Sequence, residues 1–267
     1  MALFQLQNVD PNPFRPERHP GESADRRCCL VLAAEARPCH DLVMDPLHGG
    51  GMMALQSSSL VADEAWDRAV GELVEAGRIL GARGWVPATS GNLSRRVDDA
   101  TVAITASGID KARLHERHLL RIRIDAPPPK NASAETALHL AAYRRDGAVR
   151  AILHVHSLNA TRISRRAAGT GSVRIEGFEL AKAFAGVTTH ETPIVVPVFG
   201  NSQDVPALAE TVEARLTESA GGARLAPGYL LAGHGLYAWG RDMAEALRHL
   251  EAFDFLFACL LAEGADA

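Results

Sequence analysis

The run Ala151-Ile152-Leu153-His154-Val155-His156-Ser157 is apolar until it reaches two histidines one residue apart. As a β-strand it alternates faces, so His154 and His156 project from one side and can share a cation. A second apolar run, Gly228-Tyr229-Leu230-Leu231-Ala232, leads into Gly233-His234-Gly235 and continues as Leu236-Tyr237-Ala238-Trp239. A turn that tight joins antiparallel neighbours, so a hairpin is predicted around His234. A histidine pair on a strand also occurs as a partly buried structural pair. The third histidine, between glycines that let backbone and ion approach closely, favours a metal. Three neutral imidazoles with an open fourth position are the ligand set of a catalytic divalent ion, zinc first, rather than of a closed structural site.

Helical and strand signals alternate around these runs. Trp66, Val70, Leu73, Gly77 and Leu80 recur at helical spacing, with Asp63 as the expected N-cap. Thr101–Thr105 and Leu119–Ile124 read as short strands, and Ser133 as the cap of a helix carrying Glu135, Leu138, His139, Ala142 and Tyr143. Helices are expected near 158–166 and 176–185, a strand over Pro193–Phe199 and a helix over 203–219. A long closing helix carries Met243, Leu247, Leu250, Phe253, Phe257 and Leu261. Helices alternating with strands imply an α/β fold with helices covering a central sheet, antiparallel at least in part.

The bulk composition narrows the function. The chain has 267 residues, 47% hydrophobic and 22% charged, with a formal net charge of −4 and no basic block. Nothing in it favours a nucleic acid or an anionic membrane as partner. No apolar run reaches 18 residues and the N-terminus lacks a signal peptide's apolar stretch, so the expected location is cytoplasmic. Residues 1–58 differ from the rest. They hold Cys28, Cys29 and Cys39, a triple glycine and scattered prolines, without sustained periodicity. This segment is expected to be a disordered extension, or the product of a start assigned ahead of Met52 or Met53, and 59–267 to be the catalytic domain. The cysteine spacing fits no standard zinc finger and no disulfide framework.

Two polar turns precede the histidine strand: Thr89-Ser90-Gly91-Asn92-Leu93-Ser94 and Thr105-Ala106-Ser107-Gly108-Ile109-Asp110-Lys111. Either alone is an ordinary turn. Together, upstream of a metal motif, their N–H groups, hydroxyls and the Asn92 amide suit a phosphate monoester, with Lys111 a further candidate. Glu135, Glu176 and Glu179 are candidates for proton transfer beside a metal-bound hydroxy-ketone, and each is equally a solvated or dipole-matched helix residue.

Taken together and in this order, Thr89–Ser94, Thr105–Gly108, Ser133-Ala134-Glu135, His154-Val155-His156-Ser157 and Gly233-His234-Gly235 resemble the class II aldolase (fuculose-phosphate aldolase-like) superfamily, over about residues 60–263. Ser107–Leu114, Phe199–Asp204 and Gly233–Gly240 with Met243–Ala246 are most similar to its sugar-phosphate dehydratases. The resemblance implies a three-layer α/β/α fold with a mixed, largely antiparallel sheet. It also implies a homotetramer with sites near subunit contacts, and one zinc ion held by His154, His156 and His234. Gly91, Asn92, Ser107, Gly108 and Ser133 are implied around the phosphate. The implied activity is dehydration of 5-methylthioribulose 1-phosphate in methionine salvage. The alternatives are an aldolase or epimerase working through the same enediolate, and a non-catalytic scaffold. Aldolases use the glutamate matching Glu135. Dehydratases use one after the histidine strand, here Glu179, and some have cysteine in place of Glu135. Phe178, Phe184 and Tyr237 are candidates for a methylthio pocket.

Overall fold

The structure is a computed structural model that describes residues 50–217 and 224–264, with side chains from residue 63 onward. Its first element is helix α1 (Gly50–Ala82). Asp63, expected as the N-cap, lies inside it. Met52 to Ala62 contains neither glycine nor proline and favours continuing the helix upstream. Residues 50–58, expected to be disordered, therefore belong to this helix, whereas the cysteine cluster and the rest of that segment lie outside the described residues.

Nine strands follow among the described residues: β1 (Asn92–Arg96), β2 (Thr101–Thr105), β3 (Leu119–Arg123), β4 (Ala151–Val155), β5 (Ser172–Ile175), β6 (Ile194–Phe199), β7 (Arg224–Leu225), β8 (Gly228–Leu231) and β9 (Gly235–Gly240). They form one sheet in the order β3-β2-β1-β4-β9-β8-β6-β5, with β7 also on β6. Every pairing is antiparallel except β6 with β7 and with β8. The mixed, largely antiparallel sheet expected from the sequence is present.

Helices cover both faces. The remaining ones are α2 (Thr136–Arg145), α3 (Leu158–Arg166), α4 (Val205–Thr217) and α5 (Met243–Glu263). Strand alternation divides the core accordingly. Leu153, Val155, Leu236 and Ala238 pack with Leu73 and Leu80 of α1, Ile163 of α3 and Phe253 of α5. Ile152 and Tyr237 face the other way, with Leu138 of α2 and Leu208 of α4. His154 has the parity of Ile152, so the histidines stand on the α2 side of the sheet.

Two expectations fail locally. No α-helix covers 176–185: Gly177 takes a left-handed φ of +82°, and a 3-10 helix occupies Glu179–Ala183. Asn92-Leu93-Ser94, read as part of a turn, opens β1. Their alternation is short and its polar members face inward, where Asn92 and Ser94 are buried.

Candidate metal centre

The site is built across three adjacent strands. Register places Asn92 of β1 opposite His154 of β4, and His154 opposite Tyr237 of β9. The Tyr237 ring stacks on the His154 imidazole at 4.0 Å, within 13° of parallel. His156 lies just past the end of β4, where its N–H donates to the Trp85 carbonyl. His234 sits in the β8–β9 turn, which α3 holds: the Ser164 Oγ accepts from the Gly233 N–H, and the Thr161 hydroxyl donates to the His234 carbonyl.

Glycine is required at two of these positions. A Cβ on Gly235 would lie 2.2 Å from the Val155 carbonyl oxygen, and one on Gly91 would lie 2.5 Å from the His154 carbonyl oxygen. Gly91 also has φ +73°. Only glycine lets β9 and the first polar turn close on the end of β4.

The three imidazoles converge. His156 Nε2 is 3.0 Å and His234 Nε2 is 3.3 Å from His154 Nε2. One nitrogen from each ring falls within 4.8 Å of the others. Ligands of a tetrahedral ion at metal–nitrogen distances of about 2.0–2.1 Å stand roughly 3.3 Å apart, so the cluster fits one zinc-sized ion. His154 Nδ1–H donates to the Leu236 carbonyl at 3.1 Å, which leaves Nε2 as a bare lone pair, and His234 Nδ1 lies 3.2 Å from Asn201 Oδ1. Burial pushes His154 well below the ordinary imidazole pKa, with His156 and His234 adding to it against the pull of Glu135. Burial, then His234, lowers His156 to about 4, with Glu135 opposing. Neutral rings are what a divalent ion needs.

Glu135, at the head of α2, faces the cluster. Its Oε1 lies 3.1 Å from His234 Nε2 and its Oε2 3.6 Å from His154 Nε2. Burial raises its pKa, but the bond from His234, the fields of His154 and His234 and the Asn92 amide outweigh that and bring it to about 2. The group is a carboxylate. Ser133 Oγ accepts from the Glu135 N–H at 3.3 Å, so Ser133 steadies the residue before α2 and does not cap the helix itself.

Beside this cluster lies a cleft of about 230 Å³ whose walls include Thr89, Ser90 and Gly91, then Ser107, Gly108 and Lys111, with Ser133, Glu135, His156 and His234 at the metal end. Lys111 is buried and donates its Nζ–H to the Thr89 carbonyl at 2.6 Å. Burial lowers its pKa, against the pull of Glu135 and Asp110. It anchors a strained segment: Ala88 and Thr89 both have left-handed φ, at +51° and +63°.

Most of the residues expected at the site therefore meet there. Asn92 does so differently from the expectation. It is buried, it is absent from the cleft wall, and its amide is engaged by Glu135 and His139 rather than turned to a phosphate. Glu179 is not brought to the cluster within this chain. It is exposed on its 3-10 turn, bonded to Lys182 Nζ at 2.6 Å and paired with His190 at 3.3 Å. Lys182 three residues on and His190 satisfy the carboxylate locally, which lowers its pKa. Glu176 is paired with Arg174. Phe184 and Tyr237 are fully buried in the two cores, and Phe178 packs against one of them, so none of the three lines the cleft. Sequence reasoning missed Asn201, Trp85 and the role of His139. The last was legible as the residue one helical turn after Glu135 on the same face.

Residues 71–261 match the family described as Class II Aldolase and Adducin N-terminal domain. The chain is 51% identical over 191 residues to a methylthioribulose-1-phosphate dehydratase of Parvibaculum lavamentivorans, covering 72% of this chain and 92% of that one. The chain belongs to the class II aldolase family, in the branch of these dehydratases. A relative of the same name from Xanthomonas campestris pv. campestris is 52% identical over 187 residues, covering 69% of this chain and 84% of that protein. Among solved class II structures, the L-fuculose-1-phosphate aldolase of Thermus thermophilus superposes with a TM-score of 0.61 at 27% identity, covering 75% of this chain and 97% of the aldolase.

Proposed function

We propose that this chain removes water from 5-methylthioribulose 1-phosphate, yielding the 2,3-diketone, as a cytoplasmic step of methionine salvage. The observation that carries the reading is three converging imidazoles and one carboxylate at one end of a cleft whose other walls suit a phosphate. The names of relatives about half identical to the chain supply the substrate. His154, His156 and His234 would hold one zinc ion. When bound, such an ion supplies Lewis acidity toward the substrate's ketone.

The chain's own groups do the rest. Gly91, Ser107, Gly108 and Ser133 hold the phosphate, with Lys111 supplying the positive charge, and so place C2 and C3 at the histidine end. Glu135, ionised and fixed, takes the proton from C3. The C4–oxygen bond then breaks and the hydroxyl leaves as water with a proton returned by the same carboxyl. The resulting enol tautomerises to the diketone, so no redox cofactor takes part. Glu135 carries this role in preference to Glu179 because it alone of the two stands against the imidazoles. We assign the activity to residues 59–267, working as a homotetramer. Exposed Leu158 on α3 and Phe255 on α5, helices joined by the Asn159 to Asp254 hydrogen bond, support a subunit contact near the site.

The test supplies 5-methylthioribulose 1-phosphate to the zinc-loaded protein and follows diketone absorbance. Dehydration is expected, falling by at least ~100-fold in Glu135→Gln and little in Glu179→Gln. The reverse ranking would move the proton transfer to Glu179. Cleavage to dihydroxyacetone phosphate would favour an aldolase, and no turnover would overturn the reading.

A further inference from the structure

We infer that His139 is a positioning residue: through the Asn92 amide it fixes the Glu135 carboxylate beside the three imidazoles. The inference rests on the reading of Glu135 as the proton-transfer group. A continuous line of buried polar groups runs away from the cleft behind Glu135. Asn92 Nδ2–H donates to Glu135 Oε2, and Asn92 Oδ1 meets His139 Nε2. His139 Nδ1 lies 2.7 Å from Ser94 Oγ, and Ser94 Oγ lies 2.8 Å from the Tyr143 hydroxyl. Asn92, His139, Ser94 and Tyr143 are all at most 2% exposed.

The two ends set the direction of every bond between them. A carboxylate only accepts, so the Asn92 NH2 must face Glu135 and its carbonyl oxygen must face His139. That oxygen needs a donor, so His139 carries its proton on Nε2. The bare Nδ1 then accepts from the Ser94 hydroxyl, and Ser94 Oγ accepts from Tyr143. Burial pushes the Tyr143 phenol up, which keeps it a donor, and burial holds His139 neutral, at about 4, against the pull of Glu135. Each group is satisfied in one arrangement. Reversing the Asn92 amide would set its oxygen against a carboxylate and its NH2 against a ring N–H, leaving buried groups unpaired. Strand register and helix spacing place the parts: Asn92 and Ser94 are alternate residues of β1, and Glu135, His139 and Tyr143 are successive four-residue steps along α2.

The experiment compares the zinc-loaded protein with its His139→Leu and His139→Gln variants, and determines the His139 tautomer by 15N NMR in the unaltered chain. Leaving the buried Asn92 oxygen without its donor costs about 1–3 kcal/mol, which converts to roughly 5–150-fold. His139→Leu should therefore lose about that factor in kcat with KM and zinc content nearly unchanged. His139→Gln, whose amide can still donate to Asn92, should recover most of it. The ring should be neutral with its proton on Nε2. An unchanged kcat in His139→Leu, equal losses in both variants, loss of zinc that accounts for the loss of rate, or a proton on Nδ1 would each overturn the inference. If His139→Leu does not fold, the tautomer decides. Absence of turnover by the unaltered chain would instead refute the dehydratase reading, and the tautomer would still report on the relay.

Discussion

Lys111 holds its ammonium in the protein, against the Thr89 carbonyl and beside the cleft, at a solvation cost that a surface lysine does not carry. A phosphate arriving at Ser107 and Gly108 would offset that cost. Lys111→Met is accordingly expected to raise KM for the phosphorylated substrate by ~10-fold or more, the worth of one charge-assisted bond, while zinc content stays unchanged. Calorimetric titration with the substrate checks it, and an unchanged affinity would remove Lys111 from the phosphate site. At this scale the sequence was informative where chemistry dictates spacing. His154, His156 and His234 were legible because alternation on a strand and a glycine-flanked turn leave few other geometries. Asn92 was legible as a site residue but not as a partner of Glu135, because that bond depends on where α2 lands on the sheet. Glu179 was legible as a candidate but not as a residue standing away from the cluster within this chain. A glutamate downstream of a histidine strand says nothing about the Lys182 and His190 that claim its carboxylate.

At the scale of elements, the β4–β9 pairing determines whether the three rings meet. β9 approaches β4 closely enough only because position 235 has no side chain, and the first polar turn folds against β4 only because position 91 has none. Gly235→Ala forces a methyl into the Val155 carbonyl, and Gly91→Ala adds a left-handed φ to the same kind of clash. Each is expected to cost at least about 1 kcal/mol of stability and to weaken zinc binding. Chemical denaturation and zinc titration of the two variants check this, and wild-type values in both would contradict the assigned register. Periodicity revealed the strands carrying apolar alternation and the long helices. It missed β5, four residues long, and β1, whose inward positions are polar. It overran at 176–185, where Gly177 turns the chain and only a 3-10 helix forms.

For the molecule as a whole, several imidazoles are held neutral by burial. His139 and His156 lie at about 4, against an ordinary value of 6.5. Between those values the unfolded chain binds more protons than the folded one, so stability rises with pH across that window and is lost as pH falls through it. Glu135, lowered to about 2, adds loss in the same direction below its ordinary 4.5. The slope is about 1.4 kcal/mol per pH unit for each fully titrating group. The thermal midpoint of metal-free protein is thus expected to be nearly level above about pH 7 and to fall steadily from about 6.5 to 4.5. A level profile throughout would mean that the rings are not buried as described. The architecture was the most legible level, because α/β alternation and the tight His234 turn already required helices over a partly antiparallel sheet. The measurement that bears most directly on the central claim is calorimetric titration of zinc into the metal-stripped chain and into His154→Ala. One ion per chain should bind the former and none the latter. Failure of the unaltered chain to bind, or undiminished binding after His154 is removed, would contradict the convergence of three imidazoles on one ion.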